Sequence, residues 1–298
     1  MDLARRELDP GIHDYAGLYA YSIEHPRQFW RAVWDFCGVV GKPGVTVVEG
    51  FDRLPGARWF PEARLNFAEN LLRFRDDHPA LVFRAETGQS EQYSYRELHA
   101  AVARTAAALR EAGIGPGDRV AGFLPNLPEA VIALLAASSI GAIWSSCSPD
   151  FGVDGVVQRF GQIRPRVLFC AAAHPYNGKQ HDDLGKVREI VQAIDSIEHV
   201  VVVPYLAEDP RIDEIPNAVT YAAFTDNDAQ DMDFERFPFD HPLYILYSSG
   251  TTGAPKCITH GAGGTLLQHL KELVLHINLR RQDRLCYFTT TGWMMWNW

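Results

Sequence analysis

Apolar and polar residues follow two periods along this chain, and the switching between them predicts its architecture. Short apolar runs at 80–84, 119–124, 142–145, 166–171 and 199–203 have the length of buried strands. Between them, segments 95–112, 127–139, 153–163 and 184–194 repeat their apolar positions near every 3.6 residues and predict helices. In the first of these, Leu98, Ala101, Val102, Thr105 and Leu109 share one face. Ser94 and Glu97 stand at the spacing of a capping box, and Gly113 stands where a helix end favours glycine. Strands that alternate with helices lie parallel, because each helix carries the chain back to its starting edge. The pattern therefore predicts an α/β fold, a parallel sheet flanked by helices. The acidic stretch 226–240 reads as a solvated surface excursion, after which the sheet resumes at 243–246.

The first 75 residues lack this rhythm. Phe29, Trp30, Trp34 and Phe36 suit one amphipathic helix, while Trp59, Phe60, Pro61 and Phe67 suit an irregular strap. The change divides the chain into a mostly helical and irregular segment, 1–75, and a domain at 76–298.

Composition narrows the range of partners. A net charge of −9 argues against nucleic acid or an anionic membrane surface as the main partner, so any anionic ligand must be held by local donors. No apolar run approaches the roughly 18 residues that span a bilayer, and the N-terminus MDLARRELDP has no apolar signal core. Cys37, Cys147, Cys170, Cys257 and Cys286 are scattered and odd in number, which reads as reduced thiols of a cytoplasmic protein. No metal site is assigned to the chain.

The chemistry concentrates in Tyr247-Ser-Ser-Gly-Thr-Thr-Gly-Ala-Pro-Lys256, directly behind the apolar run 243–246. Ser248, Ser249, Thr251 and Thr252 offer hydroxyl donors, Gly250 and Gly253 let backbone N–H groups turn inward, and Lys256 adds a positive charge. Hydrogen bonds to a charged group contribute roughly 1.5–3 kcal/mol each, so a few suffice to hold a polyphosphate. A Walker loop is excluded, because Pro255 precedes the lysine where that motif has glycine and Cys257 follows where it has a hydroxyl.

Residue for residue, this run resembles the phosphate loop of the adenylate-forming synthetases, the group that includes acyl-CoA synthetases, peptide-synthetase adenylation domains and luciferases. Tyr93-Ser-Tyr-Arg-Glu-Leu98 and Ile140-Gly-Ala-Ile-Trp144 resemble the group's first two core motifs, in the right order. Segments 29–38 and 57–72 resemble the N-terminal extension of CoA ligases. Segments 255–272 and 288–298 resemble the acetoacetate-directed branch, so the resemblance covers nearly the whole chain.

The resemblance implies the N-terminal part of the adenylate-forming fold and a two-step reaction. Acetoacetate attacks the α-phosphate of ATP, carried with Mg2+, and CoA then displaces AMP from the acyl-adenylate. It assigns Ser248, Ser249, Gly250, Thr251, Thr252, Gly253 and Lys256 to ATP. It assigns Trp293, Met294 and Met295 to the acyl and CoA pocket, with ordinary core packing as the alternative, and Tyr176 and Lys179, in HPYNGKQHD, to the CoA phosphates, with a surface turn as the alternative. The family's catalytic lysine is expected beyond Trp298, so the chain is expected to be the front part of an enzyme, inactive by itself. Another short acid on the same scaffold, or a non-catalytic nucleotide-binding protein, are the other readings. His260 and His269 flank a Gly-rich helix start whose N-terminus, near Gly263 and Gly264, favours an anion.

Overall fold

The computed structural model describes residues 2–207, 209–248 and 253–298, apart from the side chain of Leu3. They form two compact units. One comprises 67–235, 242–260 and 286–298; the other comprises 1–66, 236–241 and 261–285.

A seven-stranded sheet organises the first unit. Its strands are β1 (Arg119–Phe123), β2 (Ile143–Cys147), β3 (Val167–Ala171), β4 (His199–Val203), β5 (Ala218–Thr220), β6 (Pro242–Ser248) and β7 (Lys256–Gly261). They lie in the order β5-β4-β3-β1-β2-β6-β7, and every pairing from β5 through β6 is parallel. The four predicted helices are α1 (Tyr95–Glu111), α2 (Pro128–Ser139), α3 (Val153–Ile163) and α4 (Leu184–Ala193).

Local chemistry sets the bounds of α1. The Ser94 hydroxyl accepts from the Glu97 N–H at 3.2 Å, and the Glu97 carboxylate accepts from the Ser94 N–H at 2.8 Å. At the other end Gly113 takes φ +72°, and the Ile114 N–H reaches the Leu109 carbonyl at 2.9 Å. This is a Schellman closure, sealed by the buried pair Leu109 and Ile114. On one face of the sheet, Val156, Phe160 and Ile163 of α3 and Val187 and Ile190 of α4 pack in one core with Phe123, Leu168, Cys170, Val200 and Val202. Elsewhere in the sheet, the buried Trp144 ring lies against Gly122, where a Cβ would come within 2.6 Å of it.

Two expectations are corrected. The run at 80–84 is a strand, Pro79–Arg84, yet it pairs antiparallel with Ser90–Ser94 in a separate two-stranded sheet. The link between them is too short for the dozen or more residues that a parallel crossover needs. Nor is 226–240 purely solvated: Met232, Phe237 and Phe239 are buried, and Phe237–Pro238 is a strand.

That strand belongs to the second unit, where it pairs with Arg64–Leu65, itself paired with Gly41–Lys42. The helix Pro26–Phe36 forms as predicted and turns Trp34 onto Phe60, with ring centroids 5.1 Å apart. Phe60 in turn lies 5.1 Å from Phe239. In the same unit, helix Ala262–Leu270 starts with its first two donors occupied. The Ala262 and Gly263 N–H groups bond the carbonyls of His241 and Phe239, each at 2.8 Å, and any Cβ on Gly263 would strike the Phe239 ring. At this helix start, where an anion was expected, the first two N–H groups therefore already have backbone partners. Among the described residues no helix is long and apolar enough to cross a membrane.

Candidate functional site

The order of strands selects one place on the sheet. The connection leaving β2 runs through α3 to β3, on one side, whereas the connection leaving β6 runs to β7, on the other. Connections that diverge leave a crevice beyond the carboxyl ends of the strands, and open parallel sheets bind ligands in such a crevice. The loop joining β6 to β7 is the Ser/Thr/Gly run singled out above.

Ser248 is the half-buried last residue of β6. Ser249, Gly250, Thr251 and Thr252 lie outside the described residues. Gly253 has φ +111°, a conformation that L side chains rarely adopt, although the space around it is open. Backbone geometry is therefore what calls for glycine here. Lys256 opens β7 with its side chain exposed and, among the described residues, without an ion pair. At the front of the loop, the Tyr247 hydroxyl lies 3.0 Å from the Ser145 hydroxyl, and burial pushes this phenol's pKa up.

Helix α3 touches both ends of the loop. The Arg159 guanidinium lies over the Phe151 ring at 4.5 Å and over the Tyr247 ring at 5.8 Å. One turn on, Gln162 donates from Nε2 to the Pro255 carbonyl at 2.9 Å and accepts the Cys257 thiol at 3.6 Å. The sequence reading missed Arg159, Gln162 and Phe151. The available signal was polar Arg159 and Gln162 on the stripe beside the apolar positions 156, 160 and 163, which by itself reads as a solvated edge.

The segment 289–297 is fastened across the same edge of the sheet. Thr291 donates to the Leu124 carbonyl at 2.5 Å, and its own carbonyl accepts from Ser146 at 2.7 Å. Asn126 donates to the Thr289 carbonyl at 2.7 Å and accepts from the Trp296 indole at 2.6 Å. Gly292 passes so close to the chain after β2 that a Cβ would come within 2.7 Å of the Phe151 ring. At this edge Trp293 is mostly in solvent, at 67% exposure, and Met294 and Met295 are partly covered, at 46% and 37%. Phe151 thus links this segment to Arg159 and, through it, to Tyr247.

Tyr176 and Lys179 face each other at the tip of an antiparallel hairpin, Ala173–Tyr176 with Lys179–Asp182. Asn177 and Gly178 make its tight turn with φ +52° and +73°. The hairpin springs from the carboxyl end of β3, three strand positions from β6, or roughly 14 Å across the sheet. His260 lies in β7 with its ring 5.1 Å from that of Tyr244, and burial lowers its pKa, so it packs as a neutral ring. A separate cavity of about 180 Å³ is lined by Phe83, Glu91, Leu127, Glu129, Val203 and Tyr205, among others. Its two carboxylates make it unsuited to a polyphosphate.

Comparison with known proteins assigns the chain to a family. Residues 67–297 match the family described as AMP-binding enzyme, and residues 15–71 match the acetyl-coenzyme A synthetase N-terminus. The chain belongs to the AMP-binding enzyme family. It is similar to acetoacetyl-coenzyme A synthetase of Rhizobium meliloti (strain 1021), at 50% identity over 96% of this chain and 44% of that protein. It is also similar to acetoacetyl-CoA synthetase of Danio rerio, at 47% identity over 99% of this chain and 46% of that one. The solved structure of acetoacetyl-CoA synthetase from Streptomyces lividans superposes with a TM-score of 0.93 at 42% identity, covering 99% of this chain and 45% of that one. The chain therefore spans somewhat less than half the length of these relatives.

Proposed function

We propose that this chain provides the ATP-gripping part of an AMP-forming acid–thiol ligase that acts on acetoacetate. The observation that carries the reading is the loop after β6, at a switch point of a parallel sheet. There Gly253 is held at a positive φ, and Lys256 makes no ion pair among the described residues. The identity of 46–50% with several acetoacetyl-CoA synthetases supports the choice of acid.

In this reading Ser248, Ser249, Gly250, Thr251, Thr252, Gly253 and Lys256 surround the β- and γ-phosphates. Acid activation builds negative charge on departing pyrophosphate, and preorganised N–H, O–H and ammonium donors lower that barrier. Magnesium enters as the counter-ion of the ATP phosphates, as part of the substrate. Trp293, Met294 and Met295 serve the acyl and CoA side, and Tyr176 and Lys179 meet the CoA phosphates. Residues 1–75 form the CoA-ligase N-terminal segment and 76–298 the nucleotide domain, in a protein of the cytoplasm.

Calorimetric titration with MgATP tests the reading. The wild-type chain is expected to bind saturably, and Lys256→Ala to weaken binding about tenfold, or about 1.4 kcal/mol. Equal affinity in the variant would overturn it. A different short acid is the second reading, supported by 43% identity to a relative named malonamoyl-CoA synthetase from Penicillium aethiopicum. Sulfamoyl-adenosine analogues bearing acetoacetyl or malonamoyl groups, compared in competition with ATP, separate the two by which one binds tighter.

A further inference from the structure

We propose that Arg159 and Gln162 are positioning residues: together they make α3 a clamp on the residues that flank the phosphate loop, Tyr247 in front and Pro255 and Cys257 behind. The inference rests on the phosphate-loop reading above and extends it to residues outside the loop.

The clamp is built on helical spacing. Gly155, Arg159 and Gln162 fall at i, i+4 and i+7 on one stripe of α3. The neighbouring stripe, Val156, Phe160 and Ile163, is sunk in the core of the sheet, so the platform is as rigid as the core itself. Arg159 takes the front of the loop. Its guanidinium lies between the rings of Phe151 and Tyr247, its Nη1 donates to the Gly155 carbonyl at 2.8 Å, and no carboxylate pairs with it among the described residues. A planar cation suits the slot between two rings in a way that a lysine ammonium does not.

Gln162 takes the back of the loop. It bonds the residues on either side of Lys256, donating to the Pro255 carbonyl and accepting from the Cys257 thiol. The root of the lysine is thereby fixed while its side chain extends into solvent. An amide carries its donor and its acceptor on separate atoms, so it can hold both neighbours of the lysine at once; a carboxylate would lose the donor and set a negative charge beside the phosphate loop. Phe151 extends the same device to the 289–297 segment through its contact with Gly292.

Hydrogen exchange on the ligand-free chain, combined with MgATP titration, tests the clamp in Arg159→Lys, Gln162→Glu and Gln162→Ala. Amides of 253–260 are expected to exchange at least about fivefold faster in the two Gln162 variants, and those of 246–248 in Arg159→Lys, while β3 and β4 keep wild-type protection. MgATP affinity is expected to fall about threefold to tenfold, most in Gln162→Glu. Unchanged exchange at 246–248 in Arg159→Lys or at 253–260 in the Gln162 variants would overturn the proposal, as would an equal rise in β3 and β4, which marks general loosening. If the wild-type chain binds no MgATP, the proposed function fails, and the exchange data still decide whether the clamp exists.

Discussion

The two units bury their apolar surface in different ways. The sheet unit spreads burial over many side chains, aliphatic and aromatic: Val200, Val201 and Val202, Leu168, Val120, Ile190 and Val187 are fully enclosed, and so are Trp144, Tyr244, Phe123, Phe160 and Phe169. In the other unit fewer side chains are fully enclosed, and the largest of them is Phe60, at 0% exposure between Trp34 and Phe239. Its third strand, Phe237–Pro238, comes from far along the chain to complete a sheet begun at Gly41–Lys42. A core shared among many small contributors tolerates local change, whereas a core resting on one ring transmits the loss of that ring to every element touching it.

Phe60→Ala should therefore have the largest effect, ahead of Ser94→Ala and Glu129→Gln. A loss of about 3–5 kcal/mol is expected by urea unfolding, since the ring leaves a cavity lined by two other rings. A loss below about 1 kcal/mol would break the contrast between the two units. Ser94→Ala tests the sheet unit at a helix end, where local chemistry rather than packing is at stake. The expected cost is about 1 kcal/mol at pH 7. The Glu97 carboxyl is held below the usual range by hydrogen bonds from the Ser94 N–H and hydroxyl. Its contribution is present above the unfolded carboxylate pKa and fades as pH falls through the lower folded one. The penalty in Ser94→Ala should accordingly shrink in acid unfolding curves.

Glu129→Gln is the smallest and sharpens the comparison from the other side. Burial raises the pKa of this carboxyl, at the first turn of α2, so ionising it costs the folded state more than the unfolded one. Wild-type stability then declines as pH rises from the unfolded carboxylate pKa to the raised folded value, and the amide escapes that decline. Thermal melts should show the variant gaining about 1–2 °C on the wild type between pH 4 and pH 7. A gap that narrows with rising pH would contradict the assignment.

Much of the sheet unit was legible in the residues alone. Ser94, Glu97 and Gly113 mark α1 because caps are made by residues three or four apart, and the other helices declare themselves by a period that also acts locally. The run at 80–84 was legible as a strand and misread as a member of the parallel sheet. Periodicity reports burial, and only the short link to Ser90–Ser94 tells which partner is within reach. Gly263 and Gly264 were legible as a helix start, but the carbonyls of Phe239 and His241 that occupy its donors come from a separate segment. Arg159 and Gln162 were not legible as site residues at all. Gln162 meets Pro255 across 93 positions of chain, and nothing in the spelling of α3 announces that meeting.

The sequence by itself determined the alternating strands and helices of 95–203 and where α1 begins and ends, and it singled out the ten residues 247–256 on which the proposed function rests. Each of those follows from interactions among near neighbours: caps, turns, and donors carried on one loop. Tertiary structure alone decided which strands pair, which helix donors are already taken, and which face of α3 meets the two ends of the loop. Those outcomes depend on where distant segments come to rest against one another, and that placement is settled by the packing of the whole core.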